Sequence, residues 1–235
     1  MENDAVIISN PFKLSNSRTA DLIEKGGFGA VAARAGVGKT AMLVQLALNK
    51  MLMGENVMHI SLNEPVTKVS LWYKEIFTHL ADQNSVSDAG RLWESILPHR
   101  FIMTFRVEGF SAPKLEERMT DLSEQHIFLP DMIIIDGLPF TETVREPLVE
   151  LKRLAERYGT VVWFTVTTHR HEEAADEVIP PQLKPVKDMF RRIIKLKPEG
   201  RMIHVYALIS PDSGFNQTPL VFDPFSMTVR EQSGA

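Results

Sequence analysis

The hydrophobic residues of this chain follow two alternating patterns: short continuous apolar runs, and longer stretches with an apolar residue at every third or fourth position. Short runs bounded by polar or turn residues are typical of buried strands, and periodic stretches are typical of amphipathic helices. The runs predict strands over residues 28–33, 56–62, 101–105, 131–136 and 160–167. The periodic stretches predict helices over residues 39–53 and 66–80, a short helix ending at Leu97, a helix from Ser111 past Leu122, and one ending at Gly159. This alternation predicts an α/β fold with a mostly parallel central sheet.

The pattern changes in the C-terminal part of the chain. Residues 190–197 and 202–209 are apolar runs on either side of Pro198-Glu-Gly-Arg201, whose composition predicts a hairpin turn. Residues 219–223 and 225–230 predict two further short strands. The central sheet is therefore expected to finish with antiparallel strands.

No linker or internal repeat divides the sequence, which predicts one domain over residues 1–235. Within it, residues 1–25 are a lead-in with a short helix at 19–25, and residues 66–97 form a helical insert. Residues 169–187 are polar and contain prolines, so they predict a surface loop.

Composition excludes several kinds of chemistry. The 235 residues contain no cysteine, so disulfides, thiolate zinc sites and cysteine nucleophiles are ruled out. The net charge is −4 and no basic run is present, which does not indicate nonspecific nucleic-acid binding. The acidic N-terminus lacks the pattern of a secretory signal, and the apolar runs are too short to span a membrane. These features predict a cytoplasmic protein.

Residues 33–40, Ala-Arg-Ala-Gly-Val-Gly-Lys-Thr, lie between the first predicted strand and the first predicted helix. They match the phosphate-binding pattern G-x-x-x-x-G-K-[ST] except at Ala33, and they lie in the strand–turn–helix context that this pattern requires. Gly36 and Gly38 permit a backbone that turns N–H groups toward an anion, next to the positive end of the helix dipole. A chance glycine-rich turn is the alternative interpretation.

The last two residues of this loop carry side chains suited to a nucleotide triphosphate. Lys39 can reach the β- and γ-phosphates, and the Thr40 hydroxyl is a suitable Mg²⁺ ligand. Asp136 ends the run Met132-Ile-Ile-Ile, a pattern that places a carboxylate in the Mg²⁺ shell. An ordinary turn-capping aspartate is the alternative for Asp136.

Two other predicted strands end in polar residues, and in a parallel sheet ligands lie at the carboxyl ends of strands. Glu64 follows the second strand and could polarise the water that attacks a γ-phosphate. Thr167, Thr168 and His169 end the fifth strand, where a hydroxyl or imidazole could contact the γ-phosphate. Surface or loop positions are the alternatives for these residues. His169 and His171 are too isolated to predict a metal site.

Together, Gly26-Gly-Phe-Gly29, the loop at 33–40, Ile60-Ser-Leu-Asn-Glu64, Ile133-Ile-Ile-Asp136 and Val166-Thr-Thr-His169 resemble the RecA-like ATPases, with the KaiC/RadA/DnaB branch most similar. The resemblance covers roughly residues 18–230, and it includes Lys187-Asp188 leading into antiparallel strands. It implies a three-layer P-loop NTPase fold with ATP and Mg²⁺ as ligands.

Carried over by position, the resemblance implies ATP on residues 33–41, Mg²⁺ at Thr40 and Asp136, and Glu64 as the water-activating base, with Lys39 as a second catalytic residue. The implied nucleotide-contacting residues are Arg34, Ala35, Gly36, Val37, Gly38, Lys39, Thr40, Ala41 and His169. A homo-oligomer, either a dimer or a hexamer, is also expected.

The sequence departs from this family at the stretch from Tyr206 to Pro211. The family usually carries Lys and Arg residues there that reach a neighbouring subunit's ATP, but this stretch has no basic residue. No DNA-binding segment is appended to the sequence. We therefore expect a slow ATPase or an ATP-dependent switch.

Three alternatives stay open at this stage. A MinD/ParA-like dimeric switch is favoured by Arg34, which stands where that group has its signature lysine, and is opposed by Ser61 and Asn63, which replace its strand-end aspartate. A non-catalytic nucleotide-binding scaffold is opposed by the intact loop residues. A small-molecule kinase would use the same loop. Sizing with and without ATP separates the first two from a ring: a dimer indicates the switch, a hexamer the ring, and no change the scaffold.

Overall fold

The structure is a computed structural model that describes residues 23–169, 179–209 and 220–231. Its strands are β1 (Phe28–Ala33), β2 (Val57–Ser61), β3 (Arg100–Thr104), β4 (Met132–Asp136), β5 (Val161–Thr167), β6 (Phe190–Glu199), β7 (Met202–Ile209), β8 (Leu220–Asp223) and β9 (Thr228–Glu231). Its α-helices are α1 (Lys39–Leu52), α2 (Val66–Gln83), α3 (Ala89–Ile96), α4 (Ala112–Glu124) and α5 (Arg145–Tyr158).

All nine strands join one sheet in the order β3-β2-β4-β5-β1-β6-β7-β8-β9. The first six strands in this order are parallel to one another, and β7, β8 and β9 continue the sheet antiparallel. The predicted fold class, a mostly parallel central sheet with C-terminal antiparallel strands, is confirmed. The sequence did not predict that β6 pairs parallel with β1 as well as forming the hairpin with β7.

The sheet is covered by helices on both faces because its parallel strands are apolar on both faces. In β4, Ile134 packs in a cluster with α1 and α2, while Ile133 and Ile135 pack in a second cluster with α4 and α5. All three isoleucines are fully buried. Burial of each such side chain contributes roughly 1.5–3 kcal/mol, so these two clusters hold the three layers together.

The ends of two helices follow from local sequence. Asp88 caps α3 with its carboxylate, which accepts a hydrogen bond from the Arg91 backbone N–H at 3.1 Å. Gly159 ends α5 in the left-handed region, at φ 62°. Both ends lie where the sequence pattern places them.

The predicted loop at 169–187 is wrong from residue 184 onward, where a 3₁₀ helix spans Lys184–Met189. Leu183 and Val186 are fully buried in the second cluster. Arg145 of α5 also binds the carboxylate of Asp188 with two nitrogens, at 3.0 and 2.8 Å. These contacts are between residues distant in sequence, so local composition did not indicate them. Residues 170–178 lie outside the described residues.

Two predicted bounds also differ from the structure. Residues 23–25 of the helix predicted at 19–25 are not helical, and residues 19–22 lie outside the described residues. The strand predicted from Phe225 begins only at Thr228, because residues 224–227 form a turn in which Met227 has φ 56°. Pro219, the predicted start of β8, also lies outside the described residues.

The stretch that the sequence marks as a helical insert, residues 66–97, contains α2 and α3 and connects β2 to β3. Across the part of the chain that the structure covers, no helix is both long enough and apolar enough to cross a membrane.

Candidate functional site

The carboxyl ends of the parallel strands bring the predicted site residues to one edge of the sheet. In the β2–β4 pairing, Ser61 lies opposite Asp136, and in the β1–β5 pairing, Ala33 lies opposite Thr167. The Thr168 N–H donates to the Ala33 carbonyl at 3.0 Å. The glycine-rich loop, the Asp136 carboxylate and the end of β5 are therefore neighbours, as expected for the ligand-binding edge of an open parallel sheet.

The glycine-rich loop has the backbone that the sequence requires of it. Gly36 and Gly38 have φ 77° and 106°, which are left-handed conformations that glycine adopts at little cost. Gly38 is the N-cap of α1 and has no side chain to cap the helix, so the first N–H groups of α1 are open to an anion. The strand β1, the loop and α1 together form the turn predicted for phosphate binding.

Strand β8 closes one side of the loop. A Cβ added at Gly38 would lie 2.7 Å from Cε1 of Phe222, a buried residue of β8. Gly38 is thus required both by its φ angle and by the close approach of this aromatic ring. The sequence indicated the first reason but not the second, because β8 is about 180 residues further along the chain.

Lys39 folds back over the loop. Its Nζ donates to the carbonyl oxygens of Ala33 at 3.1 Å and Arg34 at 2.9 Å. Burial lowers the pKa of Lys39, and the Asp136 carboxylate partly opposes this effect. The ammonium group therefore lies at the loop, where a bound anion would compete for its hydrogen bonds.

Thr40 and Asp136 are in direct contact. The Thr40 hydroxyl donates to Asp136 Oδ2 at 2.8 Å. The other carboxylate oxygen, Oδ1, accepts a 2.7 Å hydrogen bond from the hydroxyl of Thr165, which itself accepts from the Gly137 N–H at 3.0 Å. Thr165 fixes the carboxylate plane, and sequence reasoning missed it. Its signal was a threonine inside an otherwise apolar central strand, two residues before the strand end.

Behind Asp136 lies a buried pair, His59 of β2 and Tyr73 of α2. His59 Nε2 is 3.9 Å from Asp136 Oδ2, and His59 Nδ1 is 3.2 Å from the Tyr73 hydroxyl. The guanidinium of Arg100 lies 4.8 Å from the centre of the Tyr73 ring. Burial lowers the pKa of His59 to about 4; Asp136 opposes this shift and Arg100 adds to it. Burial likewise raises the pKa of Tyr73. The sequence analysis did not identify this pair.

The low pKa of His59 predicts a pH-dependent stability. The neutral imidazole is favoured in the folded state, so its contribution is fully present above the unfolded pKa of 6.5 and is lost as the pH falls toward about 4. One pH unit of difference corresponds to about 1.4 kcal/mol, so the loss is on the order of 3 kcal/mol. Urea unfolding at pH 7 and pH 4.5 measures it. His59→Gln should show a smaller drop between these pH values than the unchanged protein, and an equal drop would contradict the assignment.

Glu64 lies just beyond β2, near the same edge. Its N–H donates to the Ser61 hydroxyl at 3.0 Å, and one of its carboxylate oxygens is 2.7 Å from Nζ of Lys68. The two side chains are 32% and 49% exposed. An exposed pair of this kind contributes about 0.2–1 kcal/mol, so Lys68 holds Glu64 only weakly.

The remaining predicted contact residues occupy the rim of the site. Thr167 and His169 are exposed and Thr168 is buried at the end of β5. Arg34 is half-buried and Ala35 is exposed, while Val37 packs against the first cluster.

The described residues contain no group of three or more His, Cys, Asp or Glu side chains placed to hold a metal ion. Mg²⁺ does not require such a group, because it usually keeps several waters and binds through one or two carboxylates together with substrate phosphates. The Thr40 hydroxyl next to the Asp136 carboxylate, beside an anion-binding loop, fits Mg²⁺ in this mode.

No protein-family model matches the chain. No curated protein sequence matches it either. The chain is similar in structure to the solved ATPase domain of a DnaB-like helicase, with a TM-score of 0.64. The match covers 89% of this chain and 86% of that chain, at 16% sequence identity. The likeness establishes the fold, and the chain therefore has a RecA-like P-loop fold.

Proposed function

We propose that this protein binds ATP together with Mg²⁺ at residues 33–41 and hydrolyses it slowly. The observation that carries the proposal is the 2.8 Å hydrogen bond between the Thr40 hydroxyl and the Asp136 carboxylate. It joins the residue that follows the glycine-rich loop to the end of a neighbouring strand, which is the pairing that a Mg²⁺-nucleotide site needs.

Three features of the loop support phosphate binding. The positive φ angles of Gly36 and Gly38 orient backbone N–H groups toward a common centre. The N-terminus of α1 adds its dipole at the same place. Lys39 supplies a positive charge beside these groups, and a phosphate oxygen would replace the Ala33 and Arg34 carbonyls as its hydrogen-bond acceptor.

The metal role is assigned to Thr40 and Asp136. Bound Mg²⁺ supplies positive charge that stabilises the phosphates of ATP. Thr165 keeps the Asp136 carboxylate oriented through its 2.7 Å hydrogen bond. The contribution of this chain is therefore a preorganised hydroxyl–carboxylate pair.

Hydrolysis is assigned to Glu64. A water oxygen attacks the γ-phosphorus, the bond from this phosphorus to the bridging oxygen breaks, and ADP and phosphate are the products. Glu64 accepts the proton that the water loses, which requires its carboxylate to leave Lys68. The weakness of an exposed pair makes that exchange possible at small energetic cost. The absence of a basic side chain on residues 206–209 supports slow turnover by this chain.

A nucleotide-binding switch or scaffold without turnover is the second candidate, and the Glu64–Lys68 contact favours it. The RecA-like fold favours the RecA-like interpretation over the MinD/ParA-like one. The branch within the RecA-like group, cytoplasmic location and assembly into a homo-oligomer with a switch or assembly role remain proposals from the sequence resemblance.

Thr40→Val tests the proposed site, because valine matches threonine in shape but has no hydroxyl. We expect ATP binding in the presence of EDTA to change little, whereas Mg²⁺ should no longer strengthen it and phosphate release should fall to background. Fluorescent-nucleotide titrations with Mg²⁺ and with EDTA measure the first effect. Thr78→Val, which removes an exposed hydroxyl of α2, is the control. Full Mg²⁺ stimulation in Thr40→Val would contradict the metal assignment.

A further inference from the structure

His59 has one nitrogen that is engaged and one that is open. Nδ1 meets the Tyr73 hydroxyl at 3.2 Å, whereas Nε2 is buried and has no hydrogen-bond partner among the described residues. The open nitrogen faces Asp136, with 3.9 Å between Nε2 and Oδ2. Leaving a buried polar atom without a partner costs roughly 1–3 kcal/mol. An open nitrogen directed at a metal-binding carboxylate therefore points to a role at that site.

The protonated nitrogen of His59 follows from its two neighbours. A neutral imidazole carries one N–H, and its other nitrogen accepts. A hydrogen on Nε2 directs the N–H dipole at the Asp136 carboxylate, and it leaves Nδ1 to accept from the Tyr73 hydroxyl. A hydrogen on Nδ1 would instead place the Nε2 lone pair against the negative carboxylate. The charge of Asp136 therefore selects the Nε2–H form.

Tyr73 is held in place from two sides. Its ring is fully buried and meets the His59 ring edge-on, with centroids 5.7 Å apart. On its other side, the Arg100 guanidinium lies 4.8 Å from the Tyr73 centroid and 5.6 Å from that of Trp93 on α3. A residue packed in this way keeps its hydroxyl at Nδ1 and so fixes the form of the imidazole.

The Asp136 carboxylate has room for one more donor. Oδ1 accepts from Thr165, and Oδ2 accepts from Thr40. A carboxylate oxygen accepts through two lone pairs, so Oδ2 can take a second hydrogen bond. The Nε2 of His59 is about 1 Å beyond hydrogen-bond distance from it.

We propose that His59 is a positioning residue for the Mg²⁺-binding carboxylate: its Nε2–H closes onto Asp136 Oδ2 when the site is loaded, and Tyr73 holds the imidazole in the form that can donate. This inference rests on the proposed Mg²⁺-ATP function, and it deepens that function by adding His59 and Tyr73 to the support of Asp136. Partners that orient a metal-binding group typically change metal affinity by about 10–100-fold when they are removed.

The first test needs neither metal nor nucleotide. The ¹⁵N chemical shifts of the two imidazole nitrogens report which one carries hydrogen, and the spectrum of His59→Gln identifies the signals of His59 among the seven histidines. At neutral pH we expect the Nε2–H form. The Nδ1–H form in the unchanged protein would overturn the inference.

The second test is a Mg²⁺ titration of ATP binding. His59→Leu should raise the half-saturating Mg²⁺ concentration by about 10–100-fold, with binding in EDTA unchanged. His59→Gln keeps an amide donor near Asp136 and should restore most of the Mg²⁺ response. Tyr73→Phe removes only the hydroxyl and should fall between the two. Phe77→Leu, a buried aromatic change one turn further along α2, is the packing control and should leave the titration unaltered.

The outcomes separate this inference from the proposed function. If the unchanged protein responds to Mg²⁺ and His59→Leu responds identically, the inference is wrong and the Mg²⁺-ATP site stands. If the unchanged protein binds no ATP with Mg²⁺, the proposed function fails and the inference fails with it. Should His59→Leu not fold, Tyr73→Phe decides the question, because an unaltered Mg²⁺ response in that variant would also overturn the inference.

Discussion

Lys39→Ala is expected to abolish ATP binding. The Lys39 ammonium group lies over the glycine-rich loop, 3.1 and 2.9 Å from two of its carbonyl oxygens, so it is already placed beside the proposed phosphate site. Charge-assisted hydrogen bonds to phosphate are about twice as strong as neutral ones, and they are stronger still in a partly buried site. Fluorescent-nucleotide titration of the variant measures the loss, and phosphate release should vanish with it.

Lys50→Ala is the matched control for this prediction. Lys50 lies at the opposite end of the same helix and pairs with Glu55 at 2.7 Å. Its removal changes the net charge by the same amount as Lys39→Ala, but it should leave ATP affinity unchanged. Retention of micromolar affinity by Lys39→Ala would show that the loop is not the nucleotide site.

Glu64→Gln is expected to preserve ATP binding while slowing phosphate release by about 10²-fold or more, as for the loss of a general base. Glutamine has the shape of glutamate and can still meet Lys68 through its side-chain oxygen, but it cannot accept the proton of the attacking water. Binding and turnover must both be measured, because the prediction is that only turnover changes.

Glu75→Gln provides the control for the lost carboxylate. Glu75 is an exposed residue of α2, on the same helix as Lys68. This variant should bind and turn over ATP at the rate of the unchanged protein. Unchanged turnover in Glu64→Gln would move the base to another residue, and no turnover in either protein would favour the scaffold.

Much of the fold could be predicted because the strongest patterns are local. The apolar run at 132–135 buries both faces of β4, and the periodic apolar residues of α1 pack on the sheet beside it. Asp88 and Gly159 mark helix ends through their own backbone and side-chain chemistry. These features depend on a few neighbouring residues, so the sequence alone carries them.

The sheet order could not be predicted in the same way. Strand β5 lies between β1 and β4, and β6 pairs with β1 on the other side. The 3₁₀ helix at Lys184–Met189 forms against α5 through Arg145 and Asp188. Such pairings are decided by contacts between distant segments, and local composition does not encode them in a readable form.

The candidate site divides along the same line. The loop and Asp136 were predicted because each has a short pattern tied to a strand end. The support behind Asp136, which consists of Thr165, His59 and Tyr73, comes from three different elements that meet only in the folded chain. The Lys68 contact of Glu64 is one helical turn away, and it could have been found by checking the first turn of α2 for an i,i+4 partner.

The central claim is that residues 33–41 form a Mg²⁺-ATP site, and equilibrium dialysis of the unchanged protein with radiolabelled ATP tests it most directly. The account predicts saturable binding of one ATP per chain that is strengthened by Mg²⁺ and displaced by ADP. Absence of saturable ATP binding at millimolar nucleotide, by a protein shown to be folded, would contradict it.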